Sequence, residues 1–245
     1  MRHLIISDLH ANLHALEAVL DDAAGLGYDA VLVLGDLVGY GADPDAVMDR
    51  TFALDPLAII RGNHDKVAAG LEPADTFNDV ARVSIEWTAA ALAAGQLSRL
   101  AGLPRGPVQV GDDIEICHGS PFDEDYYIFD ADDAGRAIAL ASRPICLFGH
   151  THVPAVFTRT DDPLQHDDGL EDDELRLPRS GPALINVGSV GQPRDGDPRA
   201  AYGLLDTARR TIRLRRVEYD VAGAQDRILE RGLPPWLAHR LGEGQ

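Results

Sequence analysis

Five short clusters along the chain hold side chains able to grip a metal ion: Asp8-Leu9-His10, Gly35-Asp36, Gly62-Asn63-His64-Asp65, Cys117-His118-Gly119 and Gly149-His150-Thr151-His152. Carboxylate, imidazole and amide oxygen together suit manganese, iron, zinc or nickel better than calcium or magnesium. Residues two apart in a regular strand point the same way, so Asp8 with His10, or His150 with His152, could share a strand face. Buried in a continuous sheet without a partner, such pairs are costly. The flanking Gly35, Gly62, Gly119 and Gly149 instead predict chain leaving a strand with unusual backbone angles and close approach to something. A metal cluster supplies the partner. Taken singly, each cluster reads as a turn, a chance pairing or a structural clip; taken together, in this order, they read as one site.

The elements that must position these clusters follow from the apolar runs. Residues 4–7, 30–34 and 57–60 read as strands and 12–26 and 44–54 as helices, a βαβαβ rhythm that predicts a largely parallel sheet. An alanine-rich helical region covers 76–103, and strands 108–110 and 114–117 flank the turn Gly111-Asp112-Asp113. A helix at 132–142 leads into a strand at 145–148, followed by strands at 153–158, 183–187, 201–205 and 211–217. A closing helix, 221–231, ends at Gly232 and Pro234-Pro235. Each metal-ligand cluster directly follows a predicted strand, and ligands in open α/β sheets bind beyond the strands' carboxyl ends. Five strands would thus deliver their polar termini to one rim.

The length of 245 residues and an apolar share of 45% suit one α/β domain over 1–245 with a proper core. No apolar run approaches the ~20 residues of a membrane span, and residues 4–6 are too short for a signal peptide's apolar segment. Two cysteines build no disulfide framework, so the expectation is a reducing cytoplasm, with Cys117 and Cys146 as core residues of their strands. A formal charge of −18 argues against general nucleic-acid binding and against an anionic membrane surface. The charge is uneven: residues 161–174 carry eight carboxylates and 123–133 carry six, neither with any Lys or Arg. The first of these reads as a solvated acidic insertion, about 160–178. The alternating basic run 209–216 reads as a solvated edge strand guarded against aggregation.

The series Asp-x-His, Gly-Asp, Gly-Asn-His-Asp, His-Gly and Gly-His-x-His resembles the calcineurin-like metallophosphoesterase signature, complete and in order. The resemblance runs from Ser7 to about Arg194 and is closest to the compact bacterial and archaeal branch, given residues 35–41 (GDLVGYG), 118–121 (HGSP) and 186–194 (NVGSVGQPR). It implies a four-layer α/β/β/α sandwich with a two-metal centre between the sheets. One ion, manganese foremost, would be held by Asp8, His10 and His152, the other by Asn63, His118 and His150, with Asp36 bridging. Ala11 stands where the family often has Gly, and Val187 where Pro is common; neither supplies a ligand. Two ions roughly 3.5–4 Å apart can bind a hydroxide between them for in-line attack on phosphorus. By resemblance His64 would protonate the leaving group with Asp65 orienting its imidazole, and Arg61 would grip phosphate, its planar fork fitting two oxygens. Arg194 is a second candidate for that grip, and Tyr126 and Tyr127, just after His118, are candidates to stack on a base or an aromatic leaving group.

The implied activity is hydrolysis of small phosphate esters, phosphodiesters first. Protein phosphatase, dinucleoside-polyphosphate hydrolase and a non-catalytic scaffold of the same fold are the other readings. Scaffold relatives usually lose the acid His or a ligand, whereas all eight positions are intact here, His64 included.

Overall fold

The computed structural model describes residues 1–158, 165–167, 174–179 and 181–245, with residues 165–167 described by their backbone alone. Strands β1 (Arg2–Ile6), β2 (Ala30–Val33) and β3 (Ala58–Ile59) lie parallel, joined by helices α1 (Leu13–Leu26) and α2 (Pro44–Ala53). Local chemistry sets the helix starts: Asn12 accepts from the Ala15 N–H, and Pro44 opens α2. The predicted helical region resolves into α4 (Asp79–Ala91) and α5 (Ala94–Ala101), preceded by a short helix α3 (Asn63–Ala68) that carries one ligand cluster. Beyond lie β4 (Val108–Val110), β5 (Ile114–Ile116), α6 (Ala131–Leu140), β6 (Ile145–Phe148), β7 (Ala155–Thr158), β8 (Gln165–Asp167) and β9 (Glu174–Arg176). The chain continues through β10 (Ala183–Asn186), β11 (Ala200–Asp206), β12 (Thr211–Val217), α7 (Val221–Glu230) and α8 (Pro235–Glu243).

Among the described residues two six-stranded sheets result, in the orders β3-β2-β1-β11-β12-β9 and β4-β5-β6-β10-β7-β8. Alternation along each strand explains why they stack. Leu4 and Ile6 face the helices α1 and α2, while Ile5 between them faces the other sheet with Leu32, Ile116, Leu147 and Ile185. Cys146, Phe148 and Leu184 point outward from the second sheet onto Ala134, Ala137 and Ile138 of α6. Helix, sheet, sheet, helix is therefore the α/β/β/α sandwich. Each fully buried aliphatic side chain of the inter-sheet layer contributes roughly 1.5–3 kcal/mol.

Four expectations are corrected. The sheets are mixed: β1, β2 and β3 are parallel, but β11, β12 and β9 add antiparallel, as do β4, β7 and β8 in the second sheet. Within the acidic insertion, β8 and β9 each extend one sheet by a strand, and the remainder of residues 159–173 lies outside the described residues. The basic strand β12 is not an edge, because β9 pairs with it; Arg213, Arg215 and Arg216 meet Glu174, Asp22 and Asp195. Pro234-Pro235 stops α7 but also starts α8, since proline suits a helix's first turn. Among the described residues no helix is long and apolar enough to cross a membrane.

Candidate metal centre

Strand β1 ends at Ile6, and the chain from Ser7 to Asn12 turns sharply against the segment after β2. Asp8 N–H donates to Gly35 O, His10 N–H to Asp36 O and Ala11 N–H to Leu37 O, at 2.9–3.0 Å. Along this seam Asp8, His10, Ala11 and Asp36 all take positive φ (53°, 46°, 51° and 52°), and so do His150 (68°) and His152 (62°). The left-handed backbone expected at flanking glycines thus falls mostly on the ligand positions themselves. Strain of this kind persists where the surroundings over-determine it, and it marks sites. The glycines do the other half of the work. A Cβ on Gly62 would stand 2.1 Å from Asp36 Oδ1, and one on Gly149 2.1 Å from Ser7 Oγ and 2.7 Å from Asp8 Oδ2.

Asp8 and His10, leaving the sheet, do not share a strand face. They converge instead with Asp36 after β2, Asn63 at the start of α3, His118 after β5, and His150 and His152 after β6. Two groups form around a common member: Asp8, His10, Asp36 and His152, and Asp36, His118 and His150, all buried and each with ligand atoms within 4.8 Å of one another. His118 Nε2 lies 3.3 Å from Asn63 Oδ1 and 3.4 Å from Asp36 Oδ2, and His10 Nε2 lies 3.6 Å from the same Asp36 oxygen. His152 Nε2 lies 3.4 Å from Asp8 Oδ1 and 3.0 Å from His10 Nε2.

Each imidazole is oriented by a main-chain carbonyl on its far nitrogen. His10 Nδ1 meets Val38 O at 3.1 Å, His118 Nδ1 meets Leu34 O at 2.8 Å and His152 Nδ1 meets Gln192 O at 2.5 Å. His150 is reversed: Nε2 meets Asp125 O at 3.2 Å, leaving Nδ1 inward. Such outer hydrogen bonds fix the tautomer and leave a lone pair for a metal. Asp36 turns Oδ1 to the His64 N–H (2.9 Å), freeing Oδ2 for both groups. Ser7 Oγ donates to Asp8 Oδ2 at 2.6 Å, and Asn186 braces the loop of His150 through Gly149 O and Thr151 Oγ1, both at 2.9 Å.

The electrostatics ask for cations. Burial pushes Asp8 up to about 6, with the charge of Asp36 adding and that of His118 opposing. Burial also acts on Asp36, but the imidazoles of His118, His64 and His10 hold it well below the usual carboxylate range. Burial lowers His10 and His152 strongly and takes His150 down to about 3. Burial opposes protonation of His118 too, yet Asp36 and Asp8 raise it to about 10. Three neutral imidazoles with a ring nitrogen turned inward, and a fourth, His118, whose proton balances the carboxylates and would give way to a cation, fit transition-metal ions of charge two, so the donor set passes the test for the group it would hold. A third acidic group, Glu72, Glu124 and Asp125, does not, because Lys66 sits among all three at 2.5–3.5 Å.

Beside the imidazoles opens a cavity of about 410 Å³ lined by Asp36, Asn63, His64, His150, His152 and Arg194, with Tyr40, Phe77 and Tyr127. His64 stands between the rings of Tyr40 (4.4 Å) and Phe77 (4.7 Å), its Nδ1 buried without a hydrogen-bond partner. Asp65 does not orient it: Oδ1 accepts from the Leu37 and Val38 N–H groups and Oδ2 from the Gly62 N–H, which occupies the carboxylate with backbone. Arg61 does not line the cavity; its guanidinium forks onto Glu124 at 3.0 and 3.1 Å. Tyr126 turns away and donates to Asp133 at 2.7 Å, while Tyr127 lies over His150. Residue spacing did not single out Tyr40, Phe77 or the carbonyls of Asp125 and Gln192, because a ring or main-chain oxygen in a loop carries no sequence signal. Asn186 did have one, in its Asn-Val-Gly-Ser segment.

Residues 1–210 match the calcineurin-like phosphoesterase superfamily domain. An uncharacterized protein of Methanocaldococcus jannaschii is 34% identical over 98% of this chain and 97% of its own length. The crystal structure of a metallophosphoesterase from Sphaerobacter thermophilus superposes with a TM-score of 0.89 at 40% identity, covering 100% of this chain and 99% of that one. A hypothetical protein from Pyrococcus horikoshii shares the fold at a TM-score of 0.81 and 19% identity, over 100% of this chain and 98% of its own. With the sandwich, the seam of left-handed residues and the two ligand groups meeting at Asp36, these likenesses agree: the chain belongs to the calcineurin-like phosphoesterase superfamily.

Proposed function

We propose that the chain hydrolyses small phosphate esters, phosphodiesters first, with two divalent ions, manganese foremost, held by its paired ligand groups. Asp8, His10 and His152 would hold one, Asn63, His118 and His150 the other, and Asp36 both. When bound, two such ions supply Lewis-acid polarisation of phosphoryl oxygens and a water acidic enough to react at neutral pH. The protein's part is positioning and proton transfer. Arg194 lines the cavity with its Nε buried and unpaired, a donor available to a phosphoryl oxygen that stays unreacted. His64 is wedged so that Nε2 is the ring nitrogen left for a leaving-group oxygen. Burial lowers it to about 4, so the ring is neutral at neutral pH without substrate, and the negative charge of a bound phosphate ester is what would favour the protonated form that donates. Asp65 holds the backbone that carries both Leu37 and His64 rather than the imidazole.

The observation that carries this reading is the sharing of Asp36 by two buried ligand groups at the floor of one cavity with His64 in its wall. Metal analysis of the purified protein, followed by assays on paired mono- and diester chromogenic substrates, tests it. Two ions per chain and faster diester turnover are expected; absence of turnover with any metal or ester returns the non-catalytic scaffold.

A further inference from the structure

Three rings form a ladder leading out of the metal centre. Tyr127 lies over His150 with centroids 3.8 Å apart and planes 25° apart, and Phe129 stacks on Tyr127 at 5.2 Å and 2°. The ladder climbs into solvent, Tyr127 being 40% exposed and Phe129 67%. The same loop buries its other rings better: Phe122 and Tyr126 pack on each other and beneath Arg136 of α6. The main chain at Phe129 is anchored, its N–H donating to Asp133 Oδ2 at 3.2 Å in the first turn of α6. Phe129 thus turns a flat apolar face to solvent, stacked on a ring that itself lies over the imidazole of His150. Phe77 lines the same cavity, 4.7 Å from His64, and Arg194 faces it.

The cavity opens beside the paired ligand groups. Its floor takes an anion, and its rim offers flat apolar faces. A short alkyl phosphate satisfies the floor and leaves Phe129 in water; a phosphate ester bearing a flat ring satisfies both.

Resting on the phosphoesterase reading above, we infer that the site takes phosphate esters that carry a planar aromatic group, such as a nucleobase, stacked on the Tyr127–Phe129 ladder. Stacking a base on an aromatic side chain is worth roughly five- to a hundred-fold in affinity. The test compares non-hydrolysable phosphonate analogues of AMP and of ribose 5-phosphate, titrated calorimetrically into the manganese-loaded protein and into Phe129→Ala. The adenosine ligand is expected to bind about ten-fold tighter, and Phe129→Ala to bring the ratio close to one with metal content unchanged. Equal affinities in the unmodified protein, or a ratio that survives Phe129→Ala, overturn the subsite. Both constants are measured without catalysis, so a failure of all ester hydrolysis strikes the phosphoesterase reading and leaves the base preference to be judged by the ratio.

Discussion

The ammonium of Lys66 lies 2.5 Å from the carboxylate of Asp125, and the main-chain carbonyl of that same aspartate fixes the imidazole of His150 at 3.2 Å. The chain's single lysine, only 2% exposed, thus links the helix that begins with Asn63 to the loop that orients His150, the residue proposed to share a metal with Asn63. It also faces Glu72 at 3.0 Å and Glu124 at 3.5 Å, so removing its charge leaves Asp125 and Glu72 without this cation, while Glu124 keeps Arg61 and Arg105. Lys66→Met is therefore expected to weaken one of the two metal sites by roughly ten- to a hundred-fold, the usual effect of losing an outer support. The other site should keep its affinity, and Lys66→Arg should recover part of the loss. Metal titration by calorimetry decides; equal weakening of both sites would point to general unfolding and not to the loop.

Asp36 and His64 should separate metal binding from turnover. Asp36 belongs to both ligand groups, so Asp36→Asn is expected to abolish metal occupancy and activity together. The His64 imidazole lines the cavity and belongs to neither ligand group, and its hold on Asp36 is through the main-chain N–H that alanine keeps, so His64→Ala should leave the metals bound and slow turnover by roughly 10²–10⁴-fold. Metal content measured beside kcat reads both outcomes, and unchanged turnover in His64→Ala would sink the acid role.

The two arginines make a second contrast. Arg194 faces the cavity, so Arg194→Ala is expected to raise KM for a phosphate ester about ten-fold or more, the loss of a charge-assisted hydrogen bond. Arg61 is spent on Glu124, a carboxylate only 7% exposed, so Arg61→Ala should cost stability, about 1–3 kcal/mol, with a smaller change in KM. A larger KM effect at Arg61 than at Arg194 would restore the grip to Arg61.

How much of this is legible in the residues follows from what each one needs. Asp8, His10, Asp36 and the two histidines after β6 stand out because short polar clusters after apolar runs have few structural reasons to exist. The strands are legible for the same reason: runs such as residues 30–34 and 145–148 have nowhere to go but a core. What two residues do to each other is not. Asp65 follows His64 in the chain, yet three backbone N–H groups claim its carboxylate, and no spacing rule foretells that. Arg61 precedes Asn63 by two, yet the partner that takes its guanidinium, Glu124, lies 63 residues away. The parallel start of the first sheet is local βαβ chemistry; its antiparallel continuation through β11 depends on chain that returns some 200 residues later, from beyond the reach of periodicity.

Acid and base should unfold the metal-free protein for different reasons. His64 sits at about 4 and His150 at about 3, against 6.5 ordinarily, and burial lowers His10, His152 and His3 as well. As pH falls below 6.5 the unfolded chain takes up these protons first, so the stability present above 6.5 is lost progressively. Asp65, raised by burial to about 7, and Asp8, raised to about 6, work the other way but are fewer. The slope is about 1.4 kcal/mol per pH unit for each net proton. His118, raised to about 10, adds stability below 6.5 that disappears as pH climbs toward 10. Stability should peak near neutrality. A metal held by His118 as proposed would require that imidazole neutral, so loading should remove the alkaline decline. Urea midpoints from pH 5 to 10 with chelator and with manganese check this, and matching alkaline limbs would refute it.

Gly62 offers the most local test of how the bridge is built. Its φ of −103° suits any residue, so alanine there meets no backbone penalty, only a shortage of space. The added methyl would stand 2.1 Å from Asp36 Oδ1 and 2.6 Å from the Asp36 nitrogen, one a bridge atom's partner and the other main chain that cannot yield. Overpacking of this kind costs about 1–3 kcal/mol. It is directed at the carboxylate shared by both ligand groups, so Gly62→Ala should also lower metal affinity by about ten-fold or more at both sites. Gly70 supplies the opposite case, with φ of +72° and nothing within 4 Å of the place a methyl would take. Gly70→Ala should therefore cost about 1 kcal/mol through the backbone alone and leave metal affinity untouched. If the two variants lose stability alike and neither loses metal, then Asp36 tolerates displacement, and the close passage of Gly62 is packing without consequence for the centre.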